Sequence, residues 1–97
     1  MYNVIKRDGK VVGFDISKIA AAIKLAFNAC NKQFNQDIID FLALKVTADF
    51  EPKINDGHIF VEHIQDSVET VLIKAGYGEV AKAYILYRKQ REKIRNL

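Results

Sequence analysis

The sequence predicts a mainly α-helical domain, a four-helix bundle capped by a small β-hairpin or three-stranded sheet. Three observations predict it. Four stretches repeat apolar residues at helical spacing, which gives each one dry and one wet face. An Asp-Gly pair near the start sits between two apolar, strand-like runs. An Asn-Asp-Gly turn further on introduces a short β-prone run, His58-Ile59-Phe60.

Residues 2–14 form the hairpin. A two-residue turn at Asp8-Gly9 would set Arg7 opposite Lys10, Lys6 opposite Val11 and Ile5 opposite Val12. Side chains alternate along a strand. On that pairing Ile5, Val12 and Phe14 share one face, and Val4, Lys6 and Val11 the other. Asp15 is a natural N-cap for a helix over about 16–29. Its stripe is Ile16, Ile19, Ala20, Ile23, Ala26, Phe27 and Cys30. The polar stretch Asn31–Asn35 connects to a second helix over about 37–50, with Ile38, Ile39, Leu42, Val46 and Phe50 inward. Glu51-Pro52 ends it, because the residue before proline avoids the α region. The run His58–Phe60 supplies a third strand beside the hairpin. A third helix over about 61–75 buries Val61, Ile64, Val68, Val71, Leu72 and Ala75, with Gly76 as its stop. A fourth, over about 79–94, carries Val80, Ala83, Tyr84, Tyr87 and Ile94, with Ile85 and Leu86 broadening the stripe. These elements make residues 1–97 one domain.

The chain has 97 residues, 49% of them hydrophobic and 28% charged, enough for a modest single core. A net charge of +3 permits a phosphate-bearing partner without requiring one. No apolar run approaches the roughly 18–20 residues of a membrane span, and charges interrupt the amino terminus where a signal peptide would be apolar. A single cysteine, Cys30, is read as a buried structural thiol in a protein of the reducing cytoplasm. No zinc-ligand spacing surrounds it.

Catalytic constellations are scarce. His58 and His63 have no partnered nucleophile nearby, and Asp66 and Glu69, one helical turn apart, read as a solvated face. On its residues this is not an enzyme. The cations say more. Lys6 and Arg7 end a strand. Lys18 stands in the first turn of a helix, where the positive dipole end disfavours lysine unless an anion binds between them. Arg88 and Arg91 lie one turn apart beside Tyr84 and Tyr87. The plainer reading makes Arg88–Arg95 a solvated basic tail and the tyrosines core.

Three stretches carry a family resemblance: VIKRDGKVVGFDISKIAAAI near the start, VEHIQDSVETVL in the third helix and VAKAYILYRKQR in the fourth. The chain resembles the ATP-cone, the nucleotide-sensing regulatory domain at the amino terminus of many ribonucleotide reductases. The match covers nearly the whole chain. Its flavour is most like the anaerobic, glycyl-radical ribonucleoside-triphosphate reductase, with the aerobic diphosphate reductase large subunit a close second. A transcriptional-repressor branch carries a zinc ribbon, which one cysteine cannot build.

The resemblance implies an adenine-nucleotide pocket between the β cap and the helices. Lys6 and Arg7 would meet the nucleotide, with Val4 near base or sugar. Lys18 matches a phosphate-holding lysine and Ile19 an apolar pocket position. Tyr87 and Arg91 fall where an aromatic and a basic pocket residue occur, and Arg88 rivals Arg91. Val61 and Gln65 should also approach the pocket, although the family often has a hydroxyl residue or histidine there. The implied effector is ATP or dATP with Mg²⁺ carried by its phosphates and no metal ligand from the protein. The implied partners are the catalytic body of a reductase and further copies in a nucleotide-dependent oligomer. Neither a membrane nor nucleic acid is expected. The alternatives from other classes are a nucleic-acid-binding helical module and a bare protein-interaction bundle.

Overall fold

A computed structural model describes residues 2–95; residues 1, 96 and 97 of the expected domain, and the side chain of Arg95 in the expected basic tail, lie outside the described part. Eight short and long elements follow in order: β1 (Asn3–Ile5), β2 (Val11–Gly13), α1 (Ile16–Ala29), α2 (Gln36–Phe50), a 3₁₀ turn (Glu51–Lys53), β3 (His58–Phe60), α3 (Val61–Lys74) and α4 (Gly78–Arg95). The fold is four helices with a small mixed sheet, as the periodicity predicts. In the ring of helices, α1 and α3 each pack against both α2 and α4.

The helix ends follow local chemistry. The Asp15 carboxylate accepts hydrogen bonds from the Ser17 amide and hydroxyl and so caps α1. Asn35 caps α2 by accepting from the Ile38 amide. The α1 and α3 helices both stop in a paired-carbonyl motif. At α1 the Lys32 amide bonds the Phe27 carbonyl and the Asn31 amide that of Asn28, with Asn31 at φ 56°. At α3 the Tyr77 amide bonds the Leu72 carbonyl and the Gly76 amide that of Ile73.

The core holds Ile23, Phe27, Ile39, Leu42, Val46, Phe50, Ile59, Val68, Leu72 and Val80 with almost no exposure. Truncating one of its large aromatics, such as Phe27 to alanine, should cost about 3–5 kcal/mol. Tyr2 and Phe14 pack on each other at 4.7 Å and edge-on to Phe50 at 6.0 and 5.7 Å, fastening the sheet to the end of α2. Phe27, Phe34 and Tyr77 make a second aromatic cluster. Five expected inward residues differ. Ile16, Ala75 and Ile94, at the ends of their helices, are exposed, and so is Leu86 on the outer side of the α4 stripe. Cys30 is half-buried, its thiol donating to the Phe27 carbonyl at 3.5 Å.

The hairpin register also differs. Val4 pairs with Val12 and Ile5 with Val11, one residue from the expected register. The loop is three residues long: the Gly9 amide bonds the Lys6 carbonyl, the Lys6 amide bonds the Lys10 carbonyl, and Gly9 sits at φ 88°. The Asp8 carboxylate accepts from the Lys10 amide and steadies the turn. A one-residue slip moves side chains to the opposite face. Val4, Val12 and Phe14 therefore lie together against the helices, and Val11 faces solvent. On its other edge β1 pairs in parallel with β3, matching Val4 to Ile59, so the sheet order is β2-β1-β3.

Candidate functional site

A cleft of about 420 Å³ opens between the sheet, α1, α3 and α4. That volume lies within the roughly 300–1,000 Å³ usual for small-molecule sites. Each wall contributes a predicted residue. The sheet supplies Val4 and Lys6, the start of α1 supplies Lys18 and Ile19, the start of α3 supplies Val61 and Gln65, and α4 supplies Tyr87, Arg88 and Arg91. Arg7 stands just beyond, lining a small adjoining cavity of about 40 Å³ with Lys6, Val61, Gln65, Arg88, Arg91 and Glu92.

Much of the cleft lining is apolar. Val12, Phe14, Ala22, Leu25, Ile64, Val68 and Tyr84 join Val4 and Ile19 in it. The sequence reading missed most of these. The two-residue-turn register expected from Asp8-Gly9 puts Val12 and Phe14 on the face opposite Val4. Ile64, Val68 and Tyr84 are core residues whose edges form the floor, a double role that periodicity does not distinguish.

The lining is also cationic, and its cations differ in how they are compensated. The Arg88 guanidinium donates to Asp66 at 2.8 Å and Glu69 at 2.6 Å. Burial pulls its pKa down, but these two carboxylates outweigh that and leave it raised. Asp66 and Glu69, expected as a solvated face, are thus the counter-ions of Arg88. Arg7 Nη2 donates to Gln65 Oε1 at 3.0 Å, and Nη1 lies 3.7 Å from Glu62 and 3.6 Å from Glu92. Arg91 instead rests over the Tyr87 ring at 5.8 Å and donates to its hydroxyl at 3.2 Å. Among the described residues, no carboxylate lies within ion-pair distance of Lys6, Lys18 or Arg91.

Two helix starts add to this field. Both α1 and α3 begin at cleft residues, so their positive dipole ends approach the same space. Asp15 caps α1, whereas no side chain caps α3 at Phe60. Three cations without an ion pair among the described residues, two helix starts and apolar lining suit a ligand that carries both a polyanionic and a flat apolar part. A wider groove of about 630 Å³ between α2 and α3 lacks this convergence: Lys45, Lys74 and Asp49 mix signs among apolar residues such as Ile38 and Phe41. Among the described residues, no cluster of three potential metal ligands occurs, and no helix is long and apolar enough to cross a membrane.

Fold and cleft define a helical domain with a β cap and a cleft lined by cations and apolar residues. Residues 2–93 match the family model described as the ATP cone domain, and the chain belongs to that family. It is 36% identical over 102 residues to the ribonucleoside-diphosphate reductase subunit alpha of Chlamydia muridarum, covering 97% of this chain and 10% of that one. It is 41% identical over 97 residues to the vitamin B12-dependent ribonucleoside-diphosphate reductase of Thermoplasma acidophilum, covering 95% and 12%. Against the anaerobic ribonucleoside-triphosphate reductase of Haemophilus influenzae it is 35% identical over 101 residues, covering 97% and 13%. The chain therefore spans about a tenth of the length of the curated relatives it matches.

Proposed function

We propose that this domain binds ATP or dATP in the cleft and thereby regulates a ribonucleotide reductase. The observation that carries the reading is that Lys6, Lys18 and Arg91, none of them within ion-pair distance of a carboxylate among the described residues, line one cleft with the starts of α1 and α3. The three cations, joined by Arg7, take the phosphates. Val4, Ile19 and the Tyr87 ring take the base and sugar, and Val61 and Gln65 border them. Arg88, already paired twice, holds α4 against α3. Mg²⁺ travels with the phosphates, since the cleft's own lining is mostly cationic and apolar.

ATP and dATP differ by one hydroxyl, so opposite effects on a reductase need two arrangements of the domain and its partner that the ligands favour differently. A change of oligomeric state is the form we expect. The sequence flavour favours an anaerobic triphosphate reductase as the parent. The matched relatives include diphosphate, B12-dependent and anaerobic enzymes at similar identity, so identity does not separate these types. Assaying the parent protein for reduction of CTP against CDP separates the triphosphate type from the two diphosphate types.

The first test is calorimetric and thermal titration with Mg²⁺. ATP and dATP should bind and raise the melting temperature, and CTP and UTP should bind much more weakly. At a hundred times its dissociation constant a ligand adds about 2.7 kcal/mol to stability. Equal responses to all four nucleotides would reduce the cleft to a generic polyanion site.

A further inference from the structure

Arg7 differs from the other proposed phosphate-binding cations. Its guanidinium bridges three elements: it reaches from the β1–β2 turn to Glu62 on α3 and Glu92 on α4, and donates to Gln65 between them. Glu92 lines the same small cavity as Lys6 and Arg91. Two carboxylates therefore already lie beside Arg7, at 3.7 and 3.6 Å. Glu62 lies in the first turn of α3, a position that favours negative charge and is equally open to a phosphate.

We propose that Glu62 and Glu92 form an electrostatic latch that competes with nucleotide phosphate for Arg7. The proposal rests on the nucleotide-binding reading of the cleft. When phosphate enters, the Arg7 pairs with Glu62 and Glu92 open, and the β1–β2 turn loses its tie to the last turns of α4. By linkage, an event that breaks the Arg7–Glu92 pair while leaving Arg91 in the cleft strengthens nucleotide binding by the factor that binding weakens the tie. The latch thus sets affinity and gives the phosphate site a mechanical outlet on α4.

The pairs are long and partly exposed, with the Arg7 side chain 23% exposed, Glu62 35% and Glu92 50%. Their individual effects should be modest. Glu62→Gln and Glu92→Gln should each tighten ATP binding roughly two- to fivefold, with adenosine unchanged. Glu92→Asp keeps the charge but shortens the reach, so it separates competition for Arg7 from the general field of a nearby anion. The experiment is calorimetric titration of the 97-residue chain with ATP and Mg²⁺, and with adenosine, for the parent and the three variants. Circular dichroism checks that each variant is folded. Tighter ATP binding by both Glu92→Gln and Glu92→Asp supports the latch. Tightening by Glu92→Gln alone overturns it in favour of a field effect, and parent-like affinity in all three variants overturns it outright. If the parent itself binds no nucleotide, the reading of the cleft fails, an outcome distinct from parent-like variants.

Discussion

Arg88 and Arg91 stand one turn apart on α4 and line one cleft, yet their charges are not equally available. Arg88 has two carboxylates at hydrogen-bond distance, whereas Arg91 has a tyrosine. Arg91→Gln should weaken ATP binding by about 1.5–3 kcal/mol, the worth of a charge-assisted contact, and leave adenosine nearly unaffected. Arg88→Gln should act mainly on stability. It leaves Asp66 and Glu69 adjacent without their cation, at a cost of about 1–2 kcal/mol after allowing for their partial exposure. Paired titration and thermal melts of the two variants check this split, and a larger affinity loss in Arg88→Gln would reverse the assignment. The sequence made both arginines candidates because their type and spacing are local properties. Which one is neutralised depends on residues 22 and 19 positions away. That pairing exists only once α3 and α4 pack together.

At the scale of elements, the helices were legible because a 3.6-residue period persists over several turns and each stripe is read many times over. The hairpin offers no such redundancy. Its strands are three residues long, so its register hangs on the turn alone. An Asp-Gly pair fits a two-residue loop, but it equally fits a type I turn through Arg7-Asp8 followed by a left-handed glycine. The second solution wins because it turns Val4 and Val12 together onto the helices and lets Asp8 accept the Lys10 amide. The slip also aims Val4, Val12 and Lys6 into the cleft. The loop therefore depends on Gly9 for its backbone, and a Cβ there would meet nothing within 4 Å. Gly9→Ala should cost about 1–2 kcal/mol through the left-handed conformation alone. Gly78→Ala is the control: it has equally open space and lacks the positive φ. At the first residue of α4 it should be neutral or slightly stabilising. Melting temperatures should fall by about 4–8 °C per kcal/mol in the first variant and hold or rise in the second. Equal losses would mean that the turn is not held by backbone geometry.

Across the whole molecule, Tyr84 is one of the residues that join the core to the cleft, and its hydroxyl reports on both. Tyr84 is only 5% exposed, packs in the core and shows an edge to the cleft floor. Burial pushes its hydroxyl from 10.0 up to about 12; Arg88 opposes the rise, while Glu69, Tyr87 and Asp66 add to it. The raised value means that ionisation is harder in the folded chain than in the unfolded one. Its contribution is therefore complete below pH 10 and drains away as pH climbs towards about 12. Two pH units of difference correspond to on the order of 2–3 kcal/mol. Tyr2 is raised as well, by burial first and then by the charge of Glu51, so it works in the same direction. Lysines also lose their protons in this range, which makes the parent's alkaline unfolding a composite. Tyr84→Phe isolates the one hydroxyl. In urea melts from pH 9 to pH 12, the parent should lose stability more steeply than Tyr84→Phe, and the curves should converge or cross near the alkaline end. Parallel curves over the whole range would show that the Tyr84 hydroxyl is as easily ionised in the fold as in water, and that the cleft floor is wetter than its packing indicates.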